Sequence, residues 1–211
     1  DYRGEIKVII LRSNGNAFCA GHDLRQMMEN HNQDYFDRLF SLCSEFMVKL
    51  TQMPQVVIAR VHGLATAAGC QLVAQSDIAV CSDNAMFATS GVNLGLFCST
   101  PSVAVSRNVP RKIAAEMLFT GDFIDANHAK EIGLINHVVS KNTLDDKINE
   151  IAEKITAKPF KTISLGKEVF YKQYLDNLQS AYDIAAKKMA CNMMYQETID
   201  KINDFLNKKN S

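Results

Sequence analysis

The first half of the chain contains short, continuously apolar runs separated by segments whose apolar residues recur every three or four positions. Three of these runs, at 6–12, 56–61 and 77–82, are rich in Val and Ile and are followed by small or polar turn residues. Runs of this length and composition predict buried β-strands. A weaker run at 85–89 predicts a fourth, short strand.

The segments between these strands have helical periodicity. Helices are predicted at 23–30, 34–53 and 69–76. The apolar stripe of the long helix is formed by Phe36, Phe40, Cys43 and Met47. Strands that alternate with helices favour parallel pairing through right-handed crossovers, so this half of the chain is predicted to be α/β.

Helical patterns dominate the second half. The predicted helices cover 101–109, 111–121, 125–133, 143–158, 160–188 and 194–208, with one short strand at 135–139. We therefore divide the chain into an α/β core, 1–140, and a C-terminal helical region, 141–211. This region is too amphipathic to stand alone, so we expect it to pack on the core or on another subunit. The chain enters its first strand abruptly, and we expect N-terminal strands or a transit peptide to be missing from it.

Composition excludes several classes of protein. The 211 residues include 23 Lys and Arg against 23 Asp and Glu, and no basic run or aromatic-interleaved basic patch indicates a nucleic-acid partner. No apolar stretch approaches the ~20 residues that cross a bilayer. The six cysteines lack CxxC spacing, so we interpret them as reduced thiols of an intracellular protein.

Two strand-to-helix junctions, "AFCAGHDL" at 17–24 and "HGLATAAGCQL" at 62–72, are rich in small residues. Small side chains allow a ligand to approach the backbone closely, and the first-turn N–H groups of a helix lack internal partners. One such N–H from each junction, directed at the same carbonyl oxygen, would form an oxyanion hole. Tight packing of helix against strand explains the small residues equally well from spacing alone.

These junctions resemble the two oxyanion loops of the crotonase superfamily, also called the enoyl-CoA hydratase/isomerase family. The segments "FATSGVNLGL" at 87–96 and 109–139 also resemble the family, in register from about residue 5 to residue 208. The resemblance implies a crotonase-like ββα spiral core followed by a helical region, here 141–211, that serves trimerisation. It also implies an acyl-CoA thioester as substrate.

Matched position by position, the resemblance places the oxyanion donors on the backbone N–H groups of His22 and Ala68. Further residues expected at the substrate or its coenzyme A are Ala20, Gly21, Asp23, Leu24, Gly69, Gly91, Cys98, Phe205 and Lys208. Phe205 and Lys208 match positions that often contact coenzyme A on an adjacent subunit. The resemblance further implies a homotrimer or hexamer, no metal, and no cofactor other than the coenzyme A of the substrate. It is compatible with a bacterial cytoplasm or a mitochondrial matrix.

The chain departs from the family at the positions of the two glutamates that hydratases place around the reacting water. Their positions hold Gln71 and Gly91. Hydration needs one group to take a proton and another to deliver one, and losing such a group typically lowers the rate about 10²–10⁴-fold. Gln71 retains the ability to orient a water by hydrogen bonding, and we expect a catalytic role for it on that basis. Hydration by the two-glutamate route is therefore not expected.

Two other functions remain open. The first is a decarboxylase or thioesterase that uses His22, Gln71 or a bound water. The methylmalonyl-CoA decarboxylase branch also has "AGHD" and "VNLG" motifs, although its working tyrosine aligns with Cys98 here. The second is an acyl-CoA binding protein without turnover.

Several side chains have both a structural and a functional interpretation. The imidazole of His22 either titrates at the site or packs locally, and Cys98 is either a nucleophile or part of the acyl pocket. Asp23 is expected to stabilise a helix N-terminus, while His62 and Asp77 are expected to make local hydrogen bonds. Residues that either border an acyl tunnel or pack in the core are Met27, Met28 and Phe36; Ser99 and Thr100 are expected beside Cys98.

Overall fold

A computed structural model describes residues 6–209, with side chains described as far as residue 207. The strands in this range are β1 Val8–Leu11, β2 Ala17–Cys19, β3 Val56–Val61, β4 Leu64–Thr66, β5 Ile78–Ser82, β6 Met86–Ala88, β7 Ile124–Asp125 and β8 His137–Val139. The helices are α1 Leu24–Glu29, α2 Gln33–Gln52, α3 Ala68–Gln75, α4 Ser99–Asn108, α5 Arg111–Thr120, α6 Ala126–Glu131, α7 Leu144–Thr156, α8 Phe160–Gln173, α9 Leu178–Met193 and α10 Gln196–Lys209. Short 3₁₀ turns cover Ser90–Leu94 and Lys141–Thr143.

The strands form two four-stranded sheets. The order in the first sheet is β1-β3-β5-β8, and all its pairs are parallel. The order in the second sheet is β2-β4-β6-β7, in which only β7 runs antiparallel to its neighbour. Within the chain, β1, β3 and β5 are each followed by a strand of the second sheet and then by helical structure. The chain therefore makes three ββα turns, which confirms the predicted spiral.

The main core lies between the two sheets. Ala59 and Val61 of β3 point into it and meet Ala65 of β4 and Phe87 of β6, all fully buried. The alternate residue Ile58 faces the other side, where it packs with Leu144 and Ile148 of α7. This alternation follows from the two-residue period of a strand. Both faces of the first sheet are covered by other parts of the protein, and this explains why its strands are continuously apolar.

Helix α8 is anchored to the core through a buried cation. The Lys167 ammonium of α8 donates to the carbonyl oxygens of Leu50 and Gln55 at 2.8 Å, and to the Asp77 carboxylate at 2.6 Å. Tyr171, one turn further along α8, donates to the other Asp77 oxygen at 2.6 Å. Burial and the nearby Asp77 charge raise the pKa of Tyr171, so its hydroxyl stays protonated. Asp77 also accepts the Val57 backbone N–H at 2.7 Å.

The predicted strands over 56–61 and 77–82 are confirmed, but two predictions of secondary structure are wrong. Strands β2 and β4 were predicted as loop, because each has three residues and is rich in Ala, with too little apolar length to give a periodic signal. The helix predicted over 160–188 is two helices. Asn177 caps the second of them by accepting the Ser180 N–H, and Asn at an N-cap competes with helix continuation.

Candidate active site

The candidate site lies where three strands of the second sheet end. Because β2, β4 and β6 are parallel, their carboxyl ends reach the same edge of the sheet. The segments that follow them are therefore neighbours: Ala67 N–H bonds to the Ala88 carbonyl at 3.1 Å, and the Thr66 and Ser90 hydroxyls lie 2.8 Å apart. Ligands of α/β sheets favour this edge.

A cavity of about 1080 Å³ opens at this edge. It is bounded by the three post-strand segments, by α1, by the first half of α2 and by the start of α4. Its lining residues are Ala20, His22, Asp23, Leu24, Arg25, Met27, Met28, His31, Phe36, Phe40, Ala67, Ala68, Ser90, Gly91, Leu94, Leu96, Phe97, Cys98, Ser99, Thr100 and Pro101. Of the sequence-predicted site residues, the cavity brings together Ala20, His22, Asp23, Leu24, Ala68, Gly91 and Cys98.

Gly21 allows the first two loops to touch. Its φ of +98° is a conformation that residues with a Cβ rarely adopt. A Cβ placed on it would lie 3.1 Å from the Ala67 Cβ and 3.4 Å from the Ala68 nitrogen. The chain beside His22 therefore passes directly against the start of α3.

The second loop has a strained backbone. Among the described residues, Ala67 is the only non-glycine with a positive φ, 51°. The helix begins at the next residue, Ala68, whose N–H stands in the first turn, where N–H groups have no intrahelical acceptor. Strained backbone of this kind is concentrated at functional sites.

Gly69 brings α3 against β2. A Cβ on Gly69 would lie 2.0 Å from the Cys19 carbonyl oxygen, which is impossible without displacing the backbone. Gly69 is therefore needed for helix packing. It is buried, and it is not among the described residues that line the cavity.

The His22 side chain is half-buried on the cavity wall. Its ring packs edge-on against Phe40, with centroids 5.5 Å apart and planes at 87°. Burial lowers the pKa of the imidazole and so favours the neutral ring. A neutral ring packed on an aromatic neighbour matches the structural interpretation of this side chain, and it leaves the His22 N–H as a separate feature.

Asp23 caps α1, in agreement with its expected structural role. Its carboxylate accepts the Arg25 and Gln26 N–H groups at 2.9 and 3.2 Å. Asp23 also borders the cavity. His62 was expected to bond locally; instead its Nε2 hydrogen-bonds to the carbonyl oxygen of Gly15, 47 positions away, at 2.9 Å.

Position 91 cannot hold a side chain in this backbone. A Cβ on Gly91 would lie 2.4 Å from the Leu96 carbonyl oxygen and 2.9 Å from the Cys98 sulfur. The Leu96 N–H in turn bonds to the Gly91 carbonyl at 3.0 Å, which fixes this approach. Burial raises the pKa of the Cys98 thiol, and the Gly91 backbone N–H only partly opposes this rise. A raised pKa disfavours the thiolate that a nucleophile requires.

Gln71 and Phe205 lie away from the described cavity lining. Gln71 is 3% exposed, and its side-chain oxygen faces the Cys43 thiol of α2 at 4.0 Å. Phe205 borders a separate cavity of about 260 Å³ between α8, α9 and α10. Lys208 belongs to α10, but its side chain lies outside the described part of the chain.

Sequence reasoning missed part of the cavity wall. Leu94, Leu96 and Phe97 line it and are 70%, 47% and 41% exposed. Leu94 ends the 3₁₀ turn, and Leu96 and Phe97 follow it, in a segment too short to show periodicity. The available signal was the cluster of apolar residues in "LGLFC", next to the motif already identified.

Residues 6–209 contain no group of three or more His, Cys, Asp or Glu side chains arranged to hold a metal ion. Over the same range, no helix combines the length and apolarity needed to cross a membrane. All six cysteines lie within this range and are free.

Sequence comparison identifies relatives over nearly the whole chain. The family model described as "Enoyl-CoA hydratase/isomerase" matches residues 1–210. The mouse protein named enoyl-CoA hydratase domain-containing protein 3, mitochondrial, is 46% identical over 205 residues, covering 97% of this chain and 68% of the mouse protein. An orangutan (Pongo abelii) protein named enoyl-CoA hydratase, mitochondrial, is 31% identical over 164 residues, 77% of this chain and 56% of that protein.

Comparison with solved structures also identifies enoyl-CoA hydratases and related proteins. An enoyl-CoA hydratase of Mycobacterium smegmatis superposes with a TM-score of 0.95 at 50% identity, covering 96% of this chain and 79% of that one. The human enoyl-CoA hydratase domain-containing protein 3 superposes with a TM-score of 0.94 at 47% identity, covering 97% and 81%. The spiral of ββα turns, the loops around the cavity and these matches agree, and the chain belongs to the enoyl-CoA hydratase/isomerase family, whose enzymes are lyases and isomerases.

Proposed function

We propose that this protein binds an acyl-CoA thioester with its carbonyl oxygen between the His22 and Ala68 N–H groups, and stabilises the enolate that forms there. The observation that carries the proposal is the contact between the two loops. Gly21 lies against the Ala68 nitrogen, and both His22 and Ala68 line the same cavity. An N–H donor in such a site contributes about 2.7–4 kcal/mol to the transition state.

The chemistry after enolate formation differs from two-glutamate hydration. A carboxylate at position 91 is excluded by the Leu96 carbonyl, and position 71 holds an amide buried beside Cys43. A second candidate, decarboxylation of a malonyl-type thioester, is favoured by the same observation. Loss of CO₂ leaves its electron pair on the α-carbon as the enolate, so it needs no second carboxylate. Binding without turnover is the alternative outcome.

The reaction is tested with three thioesters: crotonyl-CoA, malonyl-CoA and methylmalonyl-CoA. Consumption of crotonyl-CoA is expected to fall below the common kcat range of about 1–10³ s⁻¹. Consumption of either malonyl-type thioester, with release of CO₂, supports decarboxylation. Crotonyl-CoA hydration within the common range would contradict our account of positions 71 and 91. Binding of all three without turnover would support the binding-protein alternative.

A single substitution is not expected to install the missing acid. Gly91→Glu should yield little folded protein, because its Cβ meets backbone atoms of Leu96 rather than a movable side chain. Gly166→Glu in α8 is the matched control, since a Cβ built there meets nothing within 4 Å beyond its chain neighbours and the adjacent backbone of its own helix. The measurement is the soluble yield and melting temperature of both variants. Equal stability of the two would show that the backbone at 91 adapts to a side chain.

We also propose that the substrate's coenzyme A is the only cofactor, and that Phe205 and Lys208 contribute to its binding in a homotrimer or hexamer. The exposed apolar residues of α8–α10, among them Phe170 and Leu178, support an interface on this region. Light scattering on the purified protein tests the assembly, and a monomer would contradict it. We further propose that the protein acts in fatty acid metabolism in the mitochondrial matrix. The word "mitochondrial" in the names of vertebrate relatives supports the organelle, and subcellular fractionation tests it.

A further inference from the structure

We infer that the cavity selects acyl-CoA thioesters with a long aliphatic chain, of about ten carbons or more. This inference rests on the proposed function, because it takes the thioester carbonyl to lie at His22 and Ala68. The cavity wall beyond that point determines which acyl groups fit.

A row of four rings begins at His22, whose N–H is the proposed thioester contact. His22 contacts Phe40 with ring centroids 5.5 Å apart, Phe40 stacks on Phe36 at 6.3 Å, and Phe36 contacts His31 at 5.4 Å. All four residues line the cavity. Phe36 and Phe40 lie one helical turn apart on α2, so the helix itself sets the direction of the row.

Other apolar segments line the same cavity and are open to solvent. Leu24 and Met28 of α1 are 50% and 67% exposed, and Leu94, Leu96 and Phe97 form a further segment. Phe97 is held in place by stacking on Phe119, with centroids 5.9 Å apart. Contiguous exposed apolar surface of this kind marks a binding groove, and covering it with an alkyl chain is favourable.

The spacing of the rings sets the chain length. An extended alkyl chain advances less than about 1.5 Å per carbon. A butyryl group therefore extends about 4.5 Å or less beyond its carbonyl carbon, which is shorter than the 5.5 Å between the ring centroids of His22 and Phe40. A dodecanoyl group continues past Phe36 toward His31. Since His31 and Met28 are exposed, the row does not end against a buried wall at His31.

The test is isothermal titration of the full chain with butyryl-, octanoyl- and dodecanoyl-CoA, each below its micelle concentration. A fully buried methylene contributes about fourfold in affinity, so dodecanoyl-CoA should bind at least ~100-fold tighter than butyryl-CoA. Phe36→Asp should remove most of this gain, lowering the affinity for dodecanoyl-CoA far more than the affinity for butyryl-CoA. Phe46→Asp, on the same helix and 46% exposed, is the matched control, since Phe46 is not among the described lining residues.

The outcomes separate this inference from the proposed function. If no thioester binds, the proposed function fails. If butyryl- and dodecanoyl-CoA bind equally well, only the chain-length inference is overturned. A chain-length gain that Phe36→Asp and Phe46→Asp leave equally intact would place the acyl chain elsewhere and overturn the assignment to the ring row. Phe36→Leu, which keeps an apolar side chain, should retain the gain and so distinguishes lost apolarity from lost folding.

Discussion

Removing the N–H of residue 68 is expected to lower kcat about 10²–10³-fold, the effect of losing one oxyanion donor. Proline is the substitution that deletes a backbone N–H, and residue 68 suits it. Ala68 is the first residue of α3, a position that tolerates proline because its N–H has no intrahelical acceptor. Proline also restricts the residue before it, and Ala67 is already strained at a φ of 51°.

The variant to make is therefore Ala67→Gly/Ala68→Pro, with Ala67→Gly alone as the matched control. Glycine at 67 accepts the positive φ and removes the Cβ that the proline ring would meet. The measurement is kcat on whichever of the three thioesters the wild type consumes, together with the melting temperature. Equal activity of the double variant and its control would show that the Ala68 N–H does not contribute to the transition state.

Lys167→Met is expected to lower the free energy of unfolding by about 3–5 kcal/mol, because it removes one partner of a buried ion pair. Lys167 is 7% exposed, and its ammonium serves two backbone carbonyls and Asp77. Methionine has a similar size, so the loss is one of polar contacts rather than of volume. Asp77 would keep only the Tyr171 hydroxyl and the Val57 N–H, without a cation.

Lys172→Met on the same helix is the control for this change. Lys172 forms an exposed ion pair with Glu168, and such pairs contribute about 0–1 kcal/mol. Urea unfolding of both variants measures the difference. Equal destabilisation would mean that the Lys167 network is not what anchors α8 to the core. Because the network bonds to Leu50 at the end of α2, weaker acyl-CoA binding by Lys167→Met would also show that the anchor supports the cavity wall.

The sequence was sufficient to predict those elements whose own residue types reflect their burial. The strand over 56–61 was predictable because Val57, Ile58 and Val61 are fully buried, so almost every position is apolar. The separate second sheet was not predictable from periodicity. Strands β2 and β4 each have three residues, and their partners are distant in sequence. Only the resemblance to the family implied that each loop follows a strand of its own.

The same distinction, between what local residues indicate and what depends on distant parts of the chain, applies to the candidate site. The small residues indicated the two junctions, and the resemblance to the family placed the donors on His22 and Ala68. The two residues lie on one cavity because parallel strands bring their loops together. The orientation of Gln71 was not predictable, since it depends on Cys43, 28 positions away. The exclusion of a side chain at Gly91 was likewise not predictable. It depends on the chain folding back so that the Leu96 carbonyl approaches position 91, and no sequence pattern around Gly91 indicates this.

The most direct test of the two-donor account is isotope-edited infrared spectroscopy of a thioester bound to the protein. With a ¹³C-labelled carbonyl in butyryl-CoA, two N–H donors at His22 and Ala68 should move the C=O stretch to lower frequency than in free butyryl-CoA in water. Ala67→Gly/Ala68→Pro should lose part of that shift, while Ala67→Gly should keep it. A bound carbonyl that absorbs at the frequency of the free thioester, in wild type and variants alike, would contradict the account.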